Sequence, residues 1–178
     1  MGSKRIGLAR MEALMENLKR EINMNGAHLK GATGYTGTLV TVSAATATLT
    51  QAQDGATVEL HRAAGIVVTL PKAAIGTKYS FVVRTECTSN NLQFNCASGD
   101  TFSTTSYICQ KDRTSAGVAN VLKRASSGNT RLNAPGDGTD KTSMIGTYFE
   151  MIKVSATEWR VHGHAYIDAN GAWAFSTP

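Results

Sequence analysis

From Thr38 onward the chain is cut into short runs of Val, Thr and Leu that alternate in polarity, with Gly, Asn and Asp between them. Alternation with a period of two suits a pleated strand with one face buried, and runs this brief leave no room for long helices. Residues 38–43, 46–50, 56–61 and 65–70 predict four strands of a meander or sandwich, divided by turns such as Gln53-Asp54-Gly55 and Ala63-Ala64-Gly65. Pro71 closes the fourth run, and Tyr79, Phe81 and Val83 then alternate with Ser80 and Arg84. Thr88-Ser89-Asn90-Asn91 leads into Leu92, Phe94 and Cys96 and predicts a hairpin.

Further strands are predicted over 101–109, 117–123, 145–154, 159–166 and 172–176, with 124–143 as a long irregular loop. The expected fold class is all-β: a sandwich, jelly roll or barrel of about ten short strands, with one N-terminal α-helix. Composition agrees, because only 17% of residues are charged while Gly reaches 17, the usage of many turns.

Before the strands the pattern is different. Over 3–25 no Pro interrupts Leu8, Met11, Met15, Leu18 and Ile22, spaced alternately three and four apart, which predicts an amphipathic, coiled-coil-like helix. Leu14 widens that stripe beyond a minimal dimer seam. A helix of about 20 residues is marginal alone in water, so the stripe must be covered by sister copies, a partner or the chain's own body. Residues 26–37 hold a Gly-rich run expected to act as a linker, and 38–178 form the β-rich body.

The net charge of +5 is modest and collects in the first 30 residues and over 111–131. Those basic stretches carry few aromatics, so no nucleic-acid partner is indicated. Cys87, Cys96 and Cys109 fit no metal or redox spacing and are expected as free thiols. No run approaches the length of a membrane span, so no membrane partner is expected.

Two portions carry a family resemblance. The opening SKRIGLARMEALMENLKREINMN resembles an N-terminal segment of structural proteins from marine tailed phages. VTLPKAAIGTKYSFVV and TEWRVHGHAYIDANGAWAFS are similar to patterns of small phage decoration and fibre proteins. The matching positions are Leu70-Pro71 at a strand end, Gly76 in a turn, Tyr79 and Phe81 in the core, Trp159 and Val161 in the penultimate strand, and Gly171 with Trp173 near the end. The resemblance implies a trimeric decoration, or cement, protein on a capsid shell, with a fibre component as the alternative, and it brings no catalytic residues.

Candidate chemistry is sparse. His162 and His164 are one residue apart on a predicted strand, so their imidazoles share a face and make a weak metal candidate. Residues 136–142 lack the Gly before Lys141 that a phosphate loop needs, and also the acidic ligand pattern of a calcium loop. Neither a nucleophile elbow nor a zinc-protease motif occurs, and no cofactor is expected.

The leading expectation is thus a non-enzymatic virion protein, a homotrimer attached to the major capsid protein at the particle surface and assembled in the host cytoplasm. Leu8, Met11, Leu14, Met15, Leu18 and Ile22 would supply oligomer or capsid contacts, and Arg5, Arg10, Lys19 and Arg20 would steer the helix onto an acidic shell. The alternative is a host-recognition module binding a surface glycan through exposed aromatics such as Tyr107 or Trp173. A small hydrolase is a remote third.

Overall fold

A computed structural model of the protein describes residues 11–13, 38–113, 121–136, 143–168 and 172–177. The chain divides into two units, Met1–Thr36 and Gly37–Pro178. In the first, the described residues Met11, Glu12 and Ala13 are helical and exposed; the rest of the expected helix and the linker lie outside the described residues.

The second unit is an all-β sandwich of thirteen strands among the described residues. β1 (Leu39–Val42), β3 (Thr57–Leu60) and β5 (Lys78–Val83) lie in one sheet; β2 (Thr46–Thr48), β4 (Ile66–Thr69) and β6 (Leu92–Asn95) lie in the other. The chain therefore crosses between sheets at every connection, and like strands stack in parallel: Leu39 is level with Thr57, Thr57 with Ser80, and Thr46 with Val67. Of the expected meander or sandwich, the chain forms the sandwich. The crossing corrects the hairpin expected at Thr88 to Asn91, because β5 and β6 belong to different sheets and the segment between them is an arch.

This arch and the one that leads into β4 need special backbone where they meet. Asn90 takes a positive φ of 59°, and Gly65 turns at +79° where a Cβ would lie 2.8 Å from the Asn91 carbonyl oxygen. A β-carbon at Gly65 is thus barred by sterics as well as by conformation.

β7 (Thr101–Phe102), β8 (Tyr107–Asp112), β9 (Val121–Arg124), β11 (Tyr148–Lys153) and β12 (Glu158–Ile167) complete the first sheet, in the order β1-β3-β5-β11-β12-β8-β9 with β7 on β12. β10 (Arg131–Ala134) and β13 (Ala174–Ser176) complete the second, ordered β13-β10-β6-β4-β2. Two further expectations are corrected here. Residues 101–109 form two strands, because a turn at Thr104-Thr105 is closed by the Ser106 N–H donating to the Ser103 carbonyl, with the Ser103 and Thr105 hydroxyls bonded to each other. The expected loop over 124–143 contains β10, whose Leu132 and Ala134 face inward opposite Phe94 and Leu92.

Inward positions repeat along the stack, so apolar ladders run across each sheet: Val40, Val58 and Phe81 in one, Ala47, Val68, Phe94, Leu132 and Phe175 in the other. Between the sheets Phe81 meets Phe149 and Phe94 at centroid distances of 5.2 and 4.9 Å, and Trp173 closes on Phe149 at 5.5 Å. Each of these rings is fully buried. Aromatic contacts of this kind add about 0.5–1.5 kcal/mol beyond the area they bury.

Candidate functional site

The outward positions of the first sheet form the broadest patterned surface in the β-body. One row is level across seven strands: Thr41, Glu59, Val82, Tyr148, His164, Cys109 and Leu122. An adjacent row brings Ser80, Glu150 and His162 together, with the Tyr107 ring 6.5 Å from that of His162. Strand pleating dictates this, since Tyr107 and Cys109 alternate with inward Ile108 and Gln110.

Glu150 is the electrostatic hub of this face. Its carboxylate accepts from Lys78 Nζ at 2.7 Å and the Tyr148 hydroxyl at 2.9 Å, and His162 Nε2 lies 3.3 Å away. Burial alone would raise its pKa, but hydrogen bonds from Lys78 and Tyr148, with the charges of Lys78 and His162, outweigh that and hold it below the ordinary value. Beside the hub, Thr105, Tyr107, Arg160 and His162 line an open hollow of about 310 Å³. Tyr107 is 41% exposed and Arg160 is exposed. A second hollow, about 390 Å³, lies where Arg62, Gly65 and Ile66 approach Asn90, Asn91 and Gln93.

His162 and His164 do share the outer face of β12, on either side of Gly163, but among the described residues no group of three or more His, Cys, Asp or Glu could hold a metal ion. Cys87, Cys96 and Cys109 are free thiols. Burial, with the Asp100 charge added, pushes Cys96 up to about 12, against the opposing effect of Lys153. Trp173 contradicts its place among exposed aromatics: it is fully buried, stacked on Phe94 between the sheets. Tyr107 is exposed as expected. Of the N-terminal contact residues only Met11 is described, helical and 61% exposed. Leu8, Leu14, Met15, Leu18, Ile22, Arg5, Arg10, Lys19 and Arg20 lie outside the described residues, as do 137–142 of the rejected phosphate loop.

Two features escaped sequence reasoning. Lys153 pairs with Asp100 inside the body, both almost fully buried, with the ammonium 5.4 Å from the Trp159 ring centroid. Its signal was present, because Lys153 continues the inward series Phe149, Met151 along β11. The hollow at Tyr107 and Arg160 had no local signal, because it depends on β8 lying parallel beside β12. No protein-family model matches the chain, and neither a curated protein nor a solved structure is detectably similar to it.

Proposed function

We propose that the protein is a non-enzymatic structural component of a phage particle, a homotrimeric decoration protein bound to the major capsid protein with its β-body displayed. The observation that carries this reading is an apolar end on the body. Leu39 and Ile75 are 61% and 67% exposed. Both lie at the end where the chain enters the body, since Thr57 N–H donates to the Thr38 carbonyl, Leu39 is level with Thr57 and Ser80, and Gly76 N–H donates to the carbonyl of Lys153, where β11 ends. Covering such a side chain gains about 1.5–3 kcal/mol, which suits attachment at this end. The N-terminal stripe from Leu8 to Ile22 and the cations Arg5, Arg10, Lys19 and Arg20 would supply a contact of their own to the shell.

The test is the copy number in purified particles, by quantitative gel densitometry. The expected result is a count close to that of the capsid subunit, a trimer mass by sedimentation, and reduced occupancy for the double variant Leu39→Glu, Ile75→Glu with unchanged melting. Leu18→Asp should reduce occupancy as well. A few copies per particle would overturn the reading in favour of a fibre or host-recognition module, which the exposed hollow at Tyr107 favours.

A further inference from the structure

Several cations on the outer face of the first sheet are held by partners among the described residues. Lys78 pairs with Glu150 at 2.7 Å and Arg84 with Glu59 at 3.4 Å, while Arg113 lies over the Tyr166 ring and donates to the Ile145 carbonyl. Arg160 has no ion-pair partner among the described residues and stands exposed at the hollow lined by Thr105, Tyr107 and His162. Arg124, also exposed, is the cross-strand neighbour of Tyr107 on β9. The Tyr107 ring lies beside the His162 ring, tilted 43° to it, at the hollow that Arg160 also lines.

Glu150 already engages Lys78, Tyr148 and His162, and Glu158, two residues before Arg160 on β12, accepts from the Ser155 hydroxyl at 3.4 Å; neither is ion-paired with Arg160. The contact of Glu150 with His162 Nε2 also fixes that imidazole and leaves Nδ1 as the ring's other polar atom. The arrangement is an aromatic platform, a fixed imidazole, a hydroxyl and an uncompensated guanidinium around about 310 Å³. That volume sits at the small end of ligand sites.

We infer that this hollow binds a carboxylated sugar residue of a surface polysaccharide. The carboxylate would pair with Arg160 in the two-point geometry that a guanidinium favours. An apolar C–H face of the sugar ring would lie on Tyr107, and ring hydroxyls would meet Thr105 Oγ1 and the free nitrogen of His162. A nucleic-acid strand suits the face less well, because it needs a track of unpaired cations, and Lys78 and Arg84, which would carry one across the sheet, are paired with Glu150 and Glu59.

The experiment uses the purified full chain with two acidic probes, oligogalacturonate and sialyllactose, against neutral galactose oligomer and lactose, in calorimetric titration. Uronate and sialic acid are the two sources of the same chemistry, and the stronger response identifies which applies. Binding of at least one acidic probe, with the neutral counterparts at least tenfold weaker, is expected. Arg160→Ala and Tyr107→Ala should each weaken it about tenfold with unchanged melting, a loss of about 1.4 kcal/mol. Arg84→Ala removes the same charge elsewhere and should leave binding within twofold.

Equal binding of acidic and neutral sugars, no binding of either acidic probe, or equal loss with Arg84→Ala would each overturn the inference. Tighter binding of oligothymidylate than of either acidic sugar would overturn it in favour of nucleic acid. Failure here leaves head attachment standing, because that reading is decided by copy number.

Discussion

Lys153 and Asp100 are 1% and 2% exposed in their side chains, so their charges face each other with little water to screen them. Bringing two ions into such a place costs several kcal/mol, offset only while both partners remain. Lys153→Met or Asp100→Asn alone should therefore destabilise the body by about 3–5 kcal/mol, whereas Lys153→Met with Asp100→Leu should recover most of that loss. Denaturant midpoints of the three variants check this; equal loss in all three would mean the pair itself is not the cause. Glu150 behaves differently, being only partly buried, on the outer face. A carboxyl held below its unfolded pKa stabilises above the unfolded value and loses that contribution as pH falls through the folded one. For Glu150 the window lies below its ordinary 4.5. Between pH 7 and acid, Glu150→Gln should lose less stability than the parent, by about 0.2–1 kcal/mol for a pair of this exposure. Parallel melting curves for the two proteins across that range would refute it.

Among the elements, β12 carries the most, since it pairs with β11 on one side and with β7 and β8 on the other. Its weak point is Gly163, directly opposite Phe149. A Cβ there would lie 2.4 Å from Phe149 Cα and from the Tyr148 carbonyl oxygen, both backbone atoms that cannot swing aside. Gly163→Ala should cost about 1–3 kcal/mol or more as the strands separate, and unchanged thermal unfolding would show that β11 yields easily. Such a change would also shift His162 against Glu150, so the hollow depends on a residue that does not line it. The histidine alternation on β12 and the exposure of Tyr107 were legible from pleating alone. The meeting of Tyr107 with Arg160 was not, because residues on β8 and β12 are brought level by a parallel pairing that no local pattern encodes.

For the whole body, the inward residues were readable and the path was not. Tyr79, Phe81 and Val83, and then Leu92 and Phe94, are buried as their alternation predicts. Whether two successive strands pair with each other or face each other across a core changes none of those positions, so alternation cannot distinguish a hairpin from an arch. The arches have a consequence for how the body forms. Residues made level by the parallel pairing of β1 to β6 are about 18–26 apart in the chain, so none of these six strands can zip onto its partner from a turn. Topologies ruled by such distant contacts fold in roughly milliseconds to seconds. During that interval the unpaired strands can be taken up by strands of other copies. The geometry that leaves the finished body tightly filled thus makes protein concentration the main hazard while it is being made.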